Sequence, residues 1–156
     1  MTSRQDFTDE EWTRVRRAPI VAGVAISLAD PGGPIELAKE TMATLRSATL
    51  PPSQEELLAS VALDIQAMTQ HRQNPLGDFK PRGGQQVLEE LEGVIELVTA
   101  KATPEEAEAF RRWLLVAAQA AADAGKEGGF MGFGAEQVSA GEQQMLEQVR
   151  AALGLN

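Results

Sequence analysis

The sequence predicts an all-α fold, a compact bundle of about seven helices in a single domain over residues 1–156. Apolar residues recur at intervals of three and four along most of the chain, and no stretch alternates convincingly with the period of two typical of strands. Four Ser/Thr-x-x-Glu motifs mark helix starts. With 156 residues, 43% of them hydrophobic, the chain can bury one core without metal or disulfide support.

Seven helices are predicted, over residues 8–17, 19–29, 34–48, 53–71, 84–101, 104–124 and 140–153. Four of them begin with a capping box, in which a hydroxyl caps the helix and a glutamate three residues later bonds back to the cap; the capping residues are Thr8, Ser53, Thr103 and Ser139. The helix over 19–29 is apolar on nearly every side, so we expect it at the centre of the bundle with the others around it.

The longest connection, residues 73–83, is rich in proline and glycine and divides the chain into two loosely similar helical halves, 8–72 and 84–156. Each half opens with a capped acidic turn that leads to a tryptophan, Trp12 or Trp113. An apolar helix, a glycine-containing loop and an amphipathic helix then follow. Internal repetition is one interpretation of this pattern, and similarity of composition is the other.

The composition excludes several classes of function. The net charge of -9 opposes binding to the phosphates of nucleic acid. The absence of cysteine removes disulfides, thiolate zinc sites and cysteine nucleophiles. The most apolar stretch, residues 18–29, is shorter than the ~20 residues that span a bilayer, and the acidic N-terminal residues do not resemble a signal peptide. We therefore expect a cytoplasmic protein that binds no nucleic acid and spans no membrane.

Motifs of the common catalytic centres do not occur in the sequence. His71 is the only histidine, and there is no nucleophile elbow, phosphate-binding loop or dinucleotide fingerprint. The paired Glu-x-x-His motifs of di-iron bundles are also missing. We therefore expect a binding protein without a catalytic centre. An enzyme that works through carboxylates alone is the remaining catalytic alternative.

Two parts of the sequence resemble the TerB-like tellurite-resistance family. AAADAG at 120–125 and VSAGEQQMLEQVRAALGL at 138–155 resemble the family pattern of a helix ending in Ala-Asp-Gly, a short turn, and a capped helix closing on Leu-Gly-Leu. SLADPGGPIELAKE at 27–40 resembles an earlier copy of the same feature. The chain departs from the family in Pro31 after Asp30 and in about a dozen residues inserted after Asp123.

The resemblance implies an all-helical, cytoplasmic protein of stress or tellurite resistance, in which acidic residues hold a divalent metal. In this sequence the implied ligands are Asp30, Asp123 and Glu142, whose carboxylates suit Ca²⁺ or Mg²⁺. The alternative interpretation is that the two aspartates terminate helices while Glu142 completes a capping box.

An unusual loop over residues 128–134, within the stretch 126–142, combines four glycines with three large apolar side chains, Phe130, Met131 and Phe133. Such side chains either fold back over the open end of the bundle or form an exposed finger that contacts a partner. The second interpretation makes the loop 128–134 the binding site of a protein–protein adaptor. A homodimer is a further alternative that the sequence leaves open.

Overall fold

The computed structural model describes residues 2–29, 34–126 and 140–155. This part of the chain contains a 3₁₀ turn, Arg4–Asp6, and six helices: α1 (Asp9–Ala29), α2 (Pro34–Thr49), α3 (Glu56–Gln70), α4 (Gly84–Lys101), α5 (Pro104–Lys126) and α6 (Ala140–Ala152). None of the described residues lies in a strand. The predicted all-α class is therefore confirmed, with six α-helices where about seven were expected.

The predicted separation of helices 8–17 and 19–29 is wrong, because both are parts of α1. Pro19 lies inside this helix and is buried. An interior proline removes one backbone hydrogen bond and crowds the preceding turn, at a cost of about 3 kcal/mol. Fully burying a large apolar side chain stabilises by about 1.5–3 kcal/mol, and such side chains lie on both sides of the proline: Trp12, Val15, Ile20 and Val21. Tertiary packing therefore outweighs the local preference for a break.

The helix α1 occupies the centre of the bundle, as the apolar stretch 19–29 predicted. It packs against each of the other five helices. Its small and branched side chains Ala18, Val21, Ala22, Ala25 and Ile26 have no exposed surface. The small residues let neighbouring helices approach closely, which is how one helix can contact so many others.

Capping boxes form at two of the three predicted positions that the structure describes. Thr8 N–H donates to the Glu11 carboxylate at 2.8 Å, and Glu11 N–H donates to the Thr8 hydroxyl at 3.1 Å. Thr103 and Glu106 form the same pair of bonds at 3.2 Å each. The prediction at Ser53 is wrong, because α3 begins only at Glu56 and the Ser53 hydroxyl has no hydrogen-bond partner among the described residues. Ser139 lies outside the described residues.

Glu106 also joins the N-terminal residues to the start of α5. Its carboxylate accepts hydrogen bonds from the backbone N–H of Thr2 at 2.8 Å and from the Thr2 hydroxyl at 2.7 Å. Burial raises the pKa of Glu106, but the bonds from Thr2 and Thr103 outweigh burial and bring the pKa below its ordinary value. The ionised carboxylate is therefore the form that the fold stabilises.

None of the six helices, over their described residues, combines the length and apolar character required to cross a membrane.

Candidate functional site

A cleft of 460 Å³ opens between α1, α2 and the linker that joins α3 to α4. We call it the α1–α2 cleft. Most of its lining side chains are apolar, including Ile20, Val24 and Leu28 from α1 and Leu37 and Leu45 from α2. Its volume lies within the range of sites that enclose small organic ligands.

The close approach of α1 and α2 at Gly23 sets the width of the cleft. A β-carbon at Gly23 would lie 2.8 Å from the Cβ of Thr44 and would also overlap the rest of that side chain. Only glycine permits this separation of the two helices. Both residues line the cleft, so the contact that joins the helices also forms part of the site.

One buried carboxylate lies in the cleft. Glu40 is 3% exposed, and it accepts a hydrogen bond from the Ser27 hydroxyl at 2.7 Å. Ser27 lies one turn after Gly23 on α1, and Glu40 lies one turn before Thr44 on α2. This bond fixes the position of one carboxylate oxygen on the wall of an otherwise mainly apolar cavity.

The hydroxyl groups that line the cleft already donate their protons to internal bonds, so towards a ligand they can act only as acceptors. The Thr41 hydroxyl donates to the Leu37 carbonyl and the Thr44 hydroxyl to the Glu40 carbonyl, each at 2.8 Å. Ser27 donates to Glu40 in the same way. Together with the carboxylate, these oxygens favour a ligand that brings hydrogen-bond donors or positive charge. The amide of Asn74, at the exposed rim, adds a donor.

The linker forms the third wall of the cleft, through Asn74, Pro75, Leu76 and Pro81. Its backbone folds in two turns, with Gly77 at a φ of 57°, and the Asn74 side chain accepts from Leu76 N–H at 3.0 Å. Since this segment has no helical backbone hydrogen bonds, local turn hydrogen bonds of this kind hold its backbone in place.

A cation–π contact attaches the linker to α1. The guanidinium carbon of Arg17 lies 4.9 Å from the centre of the Phe79 ring. Glu90 on α4 holds the same guanidinium at 3.2 Å, so the arginine is fixed from two sides. The linker wall is therefore part of the packed structure, since Leu76 and Phe79 also lie against the core.

The structure places the predicted metal ligands in different surroundings. Asp123 is exposed, accepts a hydrogen bond from Gln119 at 3.0 Å and lines a groove between α2 and α5. Glu142 is buried, at 6% exposure. Asp30 lies outside the described residues. Within the described ranges, no group of three His, Cys, Asp or Glu side chains is arranged to hold a metal ion.

Two of the helix ends on which the metal-site prediction depends, the end of α1 and the start of α6, do lie in contact. A β-carbon at Gly141 would lie 3.1 Å from the carbonyl oxygen of Ala29, so the start of α6 touches the end of α1. The other predicted binding residues, Phe130, Met131 and Phe133, lie outside the described part of the chain.

The cleft itself was missed by the sequence analysis. A signal for it exists, because Glu40 interrupts the apolar stripe that α2 turns towards α1, between Leu37 and Leu45. A charged residue at a buried position of an amphipathic helix indicates either a paired interior charge or a site. The contribution of the linker has no comparable signal, because it depends on contacts between distant parts of the chain.

Comparison with protein-family models, with curated proteins and with solved structures yields no significant match for this chain.

Proposed function

We propose that this chain is a binding protein without a catalytic centre and that it takes a small amphipathic cation in the α1–α2 cleft. The ligand has an apolar body and one protonated amine. The observation that carries the proposal is the buried Glu40 carboxylate in a cleft whose other walls are mainly apolar. A ligand of this class buries its body against the leucines and places its charge beside Glu40.

Binding is favoured over catalysis by the chemistry of the lining. Among the described residues around the cleft there is one carboxylate and no histidine, lysine or arginine. General acid–base catalysis ordinarily pairs groups whose pKa values differ, so that one donates a proton and another accepts it. A single carboxylate among aliphatic side chains suits recognition of charge.

Three probes with the same apolar body test the proposal: phenylbutylamine, phenylbutanol and phenylbutyrate, each titrated into the protein at pH 7 in a calorimeter. We expect the amine to bind tightest, the alcohol about tenfold weaker and the carboxylate weakest, because they bring a positive, a neutral and a negative group to Glu40. Equal affinity of all three, or binding of none, would refute the proposal.

Variants locate the binding in the cleft. Glu40→Gln keeps the volume of the side chain and should abolish the preference for amine over alcohol, whereas Glu36→Gln, on the same helix outside the cleft, should keep it. Thr41→Trp places a large ring at an exposed rim position and should weaken all three probes. Unchanged affinity in Thr41→Trp would show that the probes bind elsewhere.

Divalent-cation binding of the TerB-like kind, at Asp30, Asp123 and Glu142, is a second proposal. The contact between the end of α1 and the start of α6 supports it, because it brings the neighbours of Asp30 and Glu142 together. The test is thermal unfolding of chelated protein with added Ca²⁺ or Mg²⁺. Saturation at a hundredfold excess over Kd should stabilise by about 2.7 kcal/mol, and Glu142→Gln should remove the gain. A melting temperature that neither ion changes would exclude this site.

A further inference from the structure

A second surface runs along the outer side of α5, away from the α1–α2 cleft. Two grooves of 380 and 420 Å³ lie there. Each has α5 as its base, and residues from 43 to 53 form one side of both. We call the two together the α5 groove.

The two grooves are aligned because α5 contributes one helical face to both. Ala109, Arg112 and Val116 line the first, and Ala120 and Asp123 line the second. Their spacings of three and four residues place them on the same side of the helix. From 109 to 123 this face is roughly 21 Å long at 1.5 Å per residue, which is about four turns of a helix laid alongside.

The α5 groove has the shape and apolar character that an amphipathic helix needs. Small side chains, Ala43, Ala120 and Ala124, line part of it and allow a second helix to approach closely. At its edge are two large apolar side chains that are exposed, Leu50 at 67% and Val116 at 45%. Helix-in-groove recognition uses such edges to contact the apolar face of the incoming helix.

The charge of the α5 groove is opposite to that of the protein as a whole. Arg46, Arg112 and Arg150 line it, against one lining aspartate, Asp123, while the net charge of the chain is -9. Arg112 pairs with Glu108 at 2.9 Å, but both side chains are largely exposed, and exposed pairs of this kind contribute little. A basic groove on an acidic protein favours an acidic partner and disfavours contact with the same basic groove of another copy.

The hydroxyl group of Ser53 is a further feature of the α5 groove that suits a bound partner. The hydroxyl oxygen of Ser53 is buried and has no hydrogen-bond partner among the described residues, and Ser53 lines the groove. Buried hydroxyls are normally paired. A carboxylate or carbonyl oxygen of a bound segment would provide the acceptor that this hydroxyl lacks.

We propose that the α5 groove binds an acidic amphipathic helix of about four turns from a partner protein. The apolar face of that helix lies between Leu50 and Val116, and its glutamates or aspartates face the three arginines. A second copy of this chain is a poorer occupant for a symmetric contact, because the same groove on both copies would bring six arginines into one interface, where like charges repel.

The probe is a synthetic helical peptide with capped ends, a leucine stripe at spacings of three and four, and glutamates along both edges. Its comparators are the same peptide with lysine for every glutamate and a scrambled peptide of the same composition. Fluorescence anisotropy should show binding of the acidic peptide that weakens with salt, and at least tenfold weaker binding of the other two. Comparable affinity for all three peptides would overturn the proposal.

Matched variants test the location. Leu50→Ser should weaken the acidic peptide at least about tenfold, and Leu63→Ser should not, although Leu63 on α3 is equally exposed at 65%. Arg46→Glu with Arg150→Glu should reverse the preference between the acidic and basic peptides, whereas Arg82→Glu in the linker should leave it unchanged. If the two serine variants weakened peptide binding equally, the peptide would not bind in the α5 groove. If sedimentation showed a concentration-dependent dimer that blocks peptide binding, the groove would be covered by a second copy and not by a partner helix.

Discussion

Gly23→Ala is expected to destabilise the protein by about 1 kcal/mol. The added β-carbon would lie 2.8 Å from the Cβ of Thr44, and it would also overlap the hydroxyl and methyl groups of that residue. Rotation of the Thr44 side chain cannot relieve the contact, because its Cβ is fixed by the backbone. The helices α1 and α2 must therefore move apart by several tenths of an ångström.

The magnitude follows from two opposing effects. Overpacking in a well-packed interior costs typically 1–3 kcal/mol, and both residues at this contact are buried. Alanine in place of a glycine inside a helix contributes about 0.8–1.0 kcal/mol in the other direction. The difference leaves a net loss of about 1 kcal/mol, with about 2 kcal/mol as the upper end.

Gly93→Ala is the matched control, because Gly93 lies inside α4 and meets a different neighbour. Its β-carbon would touch only the end of the Arg14 side chain, which is flexible and half exposed. We expect this variant to be neutral or stabilised by up to about 1 kcal/mol, since the helix propensity gain applies without a rigid obstacle. The free energies of unfolding of the two variants should therefore differ by about 1–2 kcal/mol.

Urea unfolding monitored by circular dichroism measures both variants. A Thr44→Gly substitution added to Gly23→Ala completes a cycle, and it should show a favourable coupling of about 1 kcal/mol because it removes the obstructing atoms. If Gly23→Ala were as stable as Gly93→Ala, or if the cycle showed no coupling, the close contact at Gly23 would not limit the separation of α1 and α2.

Two further predictions concern carboxylates. Glu106→Gln should destabilise the protein at pH 7 by about 1.5–3 kcal/mol, because it weakens buried bonds to a charged acceptor. The pKa of Glu106 in the folded protein is lowered from 4.5, so the difference in unfolding free energy between the variant and the natural protein should narrow as the pH falls below 4.5. An unchanged difference at pH 3 would contradict this prediction. Lys101→Met should raise the pKa of Glu11, because the hydrogen bond from Lys101 at 2.7 Å is the main cause of its lowered value. An NMR titration of the Glu11 carboxyl group that gives the same pKa in the variant and the natural protein would refute this cause.

The helix boundaries that were predictable from the sequence depend on local signals. The helix α4 spans 84–101 as predicted, because its apolar stripe begins and ends within the segment. The start of α5 at Pro104 follows from the Thr103–Glu106 capping box and the proline in the first turn. These signals act over three to four residues, so the sequence contains them in readable form.

The α1–α2 cleft was not predictable in the same way, because it depends on contacts between residues far apart in the chain. Arg17 and Phe79 are separated by most of α1, α2 and α3, yet their contact places the linker beside the cleft. The continuity of α1 through Pro19 has a similar cause, since packing by the other helices overrides the local preference. Local signals therefore predict most of the helices, whereas the surfaces between helices depend on contacts that no short segment of the sequence contains.

The carboxylate of Glu40 connects the fold with the proposed function. Placing a carboxylate in an apolar wall costs free energy that an aliphatic side chain at the same position would not cost. The hydrogen bond from Ser27 at 2.7 Å offsets part of that cost and also fixes the direction of the carboxylate. A carboxylate that a neighbouring hydroxyl orients within a mainly apolar cleft fits a position that recognises a positively charged group. Because most of the cleft lining is apolar, a positive group on the ligand should interact with Glu40 more strongly than it would at the surface.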